Sequence, residues 1–114
     1  MIKREIDRIC EQFVNDDNFI TPNDISKENS KGIVDVLDVV NIKPNYVQPF
    51  NRGGIKLFII GEITKNVKDQ KWVQIICDNN DDITFLLSNG DIWFEDEESF
   101  NMLKSINKVK LWIT

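Results

Sequence analysis

From Ile55 onward the apolar residues fall on every second position, and this change of period constrains the fold more than any other feature of the chain. Ile55, Leu57, Ile59 and Ile63 share one parity, with Lys56, Glu62 and Thr64 on the other. Residues 72–77 repeat the pattern with Val73, Ile75 and Cys77, and residues 83–87 with Ile83, Phe85 and Leu87. Alternation over such lengths reads as half-buried strands. Asn89-Gly90 is the local signature of a two-residue hairpin turn, because both residues tolerate positive φ. That turn predicts Ser88 opposite Asp91, Leu87 opposite Ile92, Leu86 opposite Trp93, Phe85 opposite Phe94 and Thr84 opposite Glu95. A five-residue loop at 78–82 then sets Cys77 against Ile83 and Ile75 against Phe85. The registers agree across three strands, and such agreement between levels predicts an antiparallel meander.

Before Ile55 the period is helical. Ile2, Ile6, Ile9, Cys10, Phe13 and Val14 recur at helical spacing among charged residues, which predicts an amphipathic helix over 2–14. Asn15-Asp16-Asp17-Asn18 breaks it. Thr21-Pro22-Asn23-Asp24 reads as a second start, with Thr21 as cap and Pro22 at the first helical position. The stretch 33–42 fits a helix through Ile33, Val36, Leu37 and Val40, although its valine density also suits a strand; helix is the favoured reading. Lys43-Pro44 and Gln48-Pro49 open an irregular connection to Gly53-Gly54. Near the C-terminus, Asp96 is positioned to cap a helix through Ile106, and Val109, Leu111 and Ile113 alternate as a final strand. The predicted architecture is therefore one α+β domain over 1–114: N-terminal helices packed on an antiparallel four- or five-stranded meander sheet, with a short helix before the last strand.

One sheet face, with Leu57, Ile59, Val73, Ile75, Cys77, Ile83, Phe85, Leu87, Ile92 and Phe94, is predicted to be core. The other carries Phe58, Ile60, Trp72, Ile76, Leu86 and Trp93 among Lys56, Glu62, Gln74, Thr84, Asp91 and Glu95. The sequence leaves open whether a second helix layer covers this face. If it does not, Leu86 and Trp93 form an apolar spot rimmed by carboxylates, the composition of a binding hot spot.

Several chemistries lack their parts. The chain has no histidine, which removes the commonest general base, the commonest metal ligand and the usual partner of a serine or cysteine nucleophile. Cys10 and Cys77 lie far apart and read as reduced core thiols, not a zinc site. Asn51-Arg52-Gly53-Gly54 is a turn without the lysine and hydroxyl spacing of a phosphate loop. Asp78-Asn79-Asn80-Asp81-Asp82 is rich in oxygen ligands, but Ile83 and Asn89 stand where a calcium loop needs glycine and glutamate. A winged helix-turn-helix order is present, yet 33–42 carries two acids and no arginine or lysine to face DNA. No catalytic residue, metal or cofactor is assigned. The start runs into charged residues with no apolar signal core, and the longest apolar run is Leu57–Ile60, far short of a membrane span; a cytoplasmic location is the expectation.

Charge is unevenly spread. The net charge is -5, but residues 78–98 hold eight acids and no base. Such a field repels nucleic acid and membrane phosphates and attracts a basic protein. The expected function is that of a non-catalytic protein-binding module, most concretely an acidic inhibitor or immunity-type protein that binds a basic toxin or nuclease. Leu86 and Trp93 are the expected anchors, with Asp81, Asp82, Asp91, Glu95, Asp96, Glu97 and Glu98 steering association, and the protein itself a monomer or weak homodimer. The competing class is a structural or assembly subunit, phage- or plasmid-borne, pairing through a sheet edge or the apolar face. A small-molecule pocket between helices and sheet is a third reading.

Overall fold

The computed structural model describes residues 2–12, 20–61, 70–88, 93–96 and 102–113. Helix α1 (Ile2–Gln12) follows the amphipathic stripe, and its Ile6 and Ile9 are buried. Phe13 and Val14, expected to extend it, lie outside the described residues. Helix α2 (Asp24–Val39) merges the second helix start with the ambiguous 33–39 stretch into one continuous helix. Ser26, Ser30, Ile33 and Leu37 form its buried stripe, so the period that wins there is helical. The cap is Asn23 and not Thr21: Asn23 is extended and its side chain accepts the Ser26 amide at 3.0 Å. At the other end Asn41 takes φ 62, and Ile42 N and Asn41 N return to Leu37 O (2.9 Å) and Asp38 O (3.0 Å). This is a Schellman stop with asparagine supplying the left-handed residue, and it buries Ile42 behind it.

Strand β1 (Tyr46–Pro49) lies within the stretch that the prolines mark as irregular. It is an edge strand, where a proline needs no ladder partner on its solvent side, so Pro49 is tolerated. The chain turns through Phe50–Gly53 into β2 (Gly54–Ile60). A side chain at Gly54 is barred twice: its φ is 144, and a Cβ there would lie 2.3 Å from Cys77 O on the neighbouring strand. Strands β3 (Trp72–Asp78), β4 (Ile83–Ser88) and β5 (Trp93–Asp96) complete an antiparallel meander of order β1-β2-β3-β4-β5.

The β3–β4 pairing joins Ile75 to Phe85 and Cys77 to Ile83, as the alternation predicts. The β4–β5 pairing does not follow the Asn89-Gly90 expectation. Ser88 pairs with Trp93, Leu87 with Phe94 and Leu86 with Glu95, so four residues, 89–92, separate the paired ends instead of two. The shift is by two, and therefore preserves which face each residue takes. The apolar pattern specifies parity and cannot distinguish registers two apart; loop length does that.

The last element is also different. Asp96 ends β5, and helix α3 (Met102–Ile113) occupies the residues read as a terminal strand. Ile106 and Val109, three apart, are buried while Leu111 is 76% exposed, which is a helical arrangement and not an alternating one. The helix thus comes after the last strand.

All three helices serve one sheet face. Helix α1 packs on α2 and β1, α2 on β2 and β3, and α3 on β3 and β4. Beneath them Ile55, Leu57, Ile59, Val73, Ile75, Cys77, Phe85 and Leu87 are all 7% exposed or less. Fully burying aliphatic or aromatic side chains such as these stabilises by about 1.5–3 kcal/mol each before chain entropy is set against it. Among the described residues no helix is long and apolar enough to cross a membrane.

Candidate interaction surface

The opposite sheet face carries a second set of apolar side chains, part-buried and not covered by the core. Lys56, Phe58, Ile60, Trp72, Gln74, Ile76, Thr84 and Leu86 are all half-exposed, and no described helix lies over them. Strand pairing arranges them in rows across the sheet. One row runs Tyr46, Phe58, Gln74, Leu86 and Glu95; the next runs Gln48, Lys56, Ile76 and Thr84; a third runs Ile60, Trp72, Ser88 and Trp93, with Ser88 fully buried and its carbonyl accepting Trp112 Nε1 of α3 at 3.1 Å. Tyr46, at the β1 edge, is 56% exposed. The Lys56 ammonium lies 5.7 Å from the Phe50 ring centre and 5.9 Å from that of Phe58, so its stem spreads over the aromatic end of the face.

Leu86 is on this surface, and Glu95 is its direct cross-strand neighbour. Trp93 is placed opposite Ser88 and Asp96 opposite Phe85. Asp91, Glu97 and Glu98 lie outside the described residues. Asp81 and Asp82 are not beside this group. They sit in the β3–β4 turn, and the six residues of β4, at about 3.3 Å each, put them roughly 20 Å from its other end.

The side chains of that turn are largely committed to the fold. Asp78 Oδ1 accepts the amides of Asn80 (2.8 Å) and Asp82 (3.0 Å). Asp81, at φ 72, accepts Asn29 Nδ2 at 2.5 Å. Asn79 is a clasp between three segments. Its Oδ1 accepts Asn23 N (2.9 Å) and the Ser26 hydroxyl (2.8 Å), and its Nδ2 donates to Thr21 O (2.9 Å). Its carbonyl accepts Asn23 Nδ2 (3.0 Å), and its amide donates to Gly53 O (3.0 Å). The loop that composition marks as a solvated acidic tip is thus the latch that seats the start of α2. Among the described residues no three metal-ligating side chains converge.

Charge elsewhere ties helices together. Asp7 on α1 meets Lys31 at 2.7 Å and Lys27 at 3.4 Å on α2, and Lys3 meets Asp35 at 2.5 Å. The hydrogen bond from Lys31 is the chief reason the Asp7 carboxyl is held below its ordinary value, and the bond to Asp7 raises Lys27. Both cysteines are free. Burial pushes the Cys77 thiol up to about 12 and raises Cys10 as well, so neither is an activated nucleophile. A groove of about 500 Å³ runs between the start of α1, the last turns of α2 and the 42–44 connection, over Ile2, Val34, Ile42 and Pro44. It lies at the helix pair, not between helices and sheet.

Sequence reasoning placed Phe58, Ile60, Trp72 and Ile76 on this face but took only Leu86 and Trp93 as its apolar anchors, with the carboxylates of Asp81, Asp82, Asp91, Glu95, Asp96, Glu97 and Glu98 around them. The common parity of these residues was the available signal. Tyr46 was missed with its strand. No family model matches the chain, and neither the curated proteins nor the solved structures compared with it yield a match.

Proposed function

We propose that the chain is a non-catalytic protein-binding module that holds a basic protein against the open face of its sheet, in the manner of an acidic inhibitor or immunity-type protein. The observation that carries this reading is the set of half-exposed Phe58, Ile60, Trp72, Ile76 and Leu86, interspersed with Lys56, Gln74 and Thr84, on a sheet whose other face holds the core. Apolar patches of this breadth on small proteins mark interaction sites. The chain's net charge of -5, and the eight acids without a base between 78 and 98, supply the attraction for a basic partner. Within the face, Leu86 is the anchor beside Glu95, and Trp93 follows at the adjoining row. Asp81 and Asp82 act at longer range as part of the field.

The test is capture of a basic protein from lysate on immobilised wild type and on Leu86→Asp, with Val39→Asp as control. Val39 is 83% exposed on α2, on the other side of the molecule. The reading expects a retained basic protein that salt elutes, lost with Leu86→Asp and kept with Val39→Asp. Identical retention by all three proteins would count against it.

A further inference from the structure

We propose that in the free protein the open sheet face is covered by a second copy of the chain, packed face to face about a two-fold axis that runs along β3. This rests on the reading above only in taking the open face as a protein-binding surface, and it names what occupies that surface before any other partner does.

Three observations support a second copy. The first is area. Five strands of four to seven residues, at about 3.3 Å per residue and about 4.8 Å between strands, give a face of roughly 440 Å², or about 900 Å² over two copies. That is close to the lower bound of about 1,000 Å² for a specific interface, and stacked sheets bury such faces at about 10 Å separation. The second is symmetry of composition. Residues on β3 lie at the centre of the face, and the axis sets Ile76 against its own copy and Gln74 against its own copy. An isoleucine pair is apolar from both sides, and a glutamine amide both donates and accepts, so each is self-complementary as an isologous contact requires. The third is charge. Lys56 on β2 and Glu95 on β5 stand on opposite sides of β3. Lys56 has no ion-pair partner among the described residues. Rotation about β3 exchanges β2 with β4 and β1 with β5, which brings each Lys56 to the acid-bearing side of the other copy. A single-stranded nucleic acid on these aromatic residues would need a basic groove, and the face offers one lysine.

Sedimentation equilibrium from about 1 to about 200 µM tests the proposal. It expects a mass rising toward twice 13.3 kDa. Lys56→Glu, a half-exposed position on the open face that leaves the buried core untouched, is expected to weaken the dimer about ten-fold. Raised salt should weaken the wild type and not Lys56→Glu, in which it screens a repulsion instead of an attraction. Ile76→Asp is expected to be monomeric with an unchanged far-ultraviolet spectrum, whereas Leu111→Asp, on the outside of α3, keeps the wild-type mass. A monomer at every concentration overturns the proposal, as does a dimer whose affinity is the same in Lys56→Glu. The two readings fail separately: a monomer that still loses its basic partner with Leu86→Asp sinks the second copy alone. A dimer that captures nothing sinks the inhibitor reading alone.

Discussion

Asn79 shows how much of this fold is carried by single polar residues. It joins α2's first turn, the segment before it and the β1–β2 turn through five hydrogen bonds. The three made by its side chain leave with Asn79→Ala, and with them the tie between the β3–β4 turn and the start of α2. Urea denaturation is expected to show a loss of about 2–3 kcal/mol for Asn79→Ala, against less than about 0.5 kcal/mol for the exposed Asn80→Ala. Equal effects would mean the clasp is incidental. Glycines divide in the same way. Nothing lies within 4 Å of a Cβ at Gly32, which is exposed within α2, so Gly32→Ala should stabilise by about 0.5–1 kcal/mol. Gly54→Ala should destabilise severely, because its Cβ meets the β3 backbone. Composition could not separate these cases, since an Asn-rich acidic loop reads alike whether its amides face water or another segment.

Among elements, the contact between α1 and α2 joins buried isoleucines to one ionic cluster. A carboxyl held low in the folded state stabilises above its ordinary value of 3.8 and loses that contribution as pH falls through the folded value. Lys27, held high, contributes below its ordinary value of 10.5 and loses it as pH rises through the raised one. The stability difference between wild type and Asp7→Asn is therefore expected to be level between these limits and to shrink outside both. Chemical denaturation across pH measures it, and a difference that grows with acid would contradict the pairing. Helices α1 and α2 and the central strands were legible in sequence because each has a sustained period: Ile6 with Ile9, Ile33 with Leu37, Ile75 with Cys77. What was not legible lies where two periods coincide or where none exists. Val109, Leu111 and Ile113 alternate, yet Ile106 and Val109 also lie one helical turn apart, and packing under α3 decides for the helix. Strand β1 has four residues, a proline and no alternation long enough to see; it exists because β2 offers it an edge.

At the scale of the molecule, the helices tile one face of the sheet, and on the other Glu95 of β5 stands opposite Leu86 of β4. Charge reversal at Glu95, Asp96, Glu97 and Glu98 is expected to slow association with a basic partner by about ten-fold or more at low ionic strength and to flatten its salt dependence. Stopped-flow association rates across a salt series would show it; unchanged rates would remove the steering role. The site was only half legible. Parity could set Leu86 and Trp93 on the same side of the sheet but not opposite one another, since Leu86 pairs with Glu95, and linear clustering of acids hid that Asp81 and Asp82 sit at the β3–β4 end of β4, away from Glu95. A sheet packed on one side only has a further consequence for how such a chain changes over generations. Odd positions from 55 to 59, from 73 to 77 and at 85 and 87 answer to folding and should resist drift, while the even positions between them are free to track whatever lies against them. Two selective pressures would then interleave residue by residue, and a saturation library scored separately for folding and for binding should resolve into two combs offset by one.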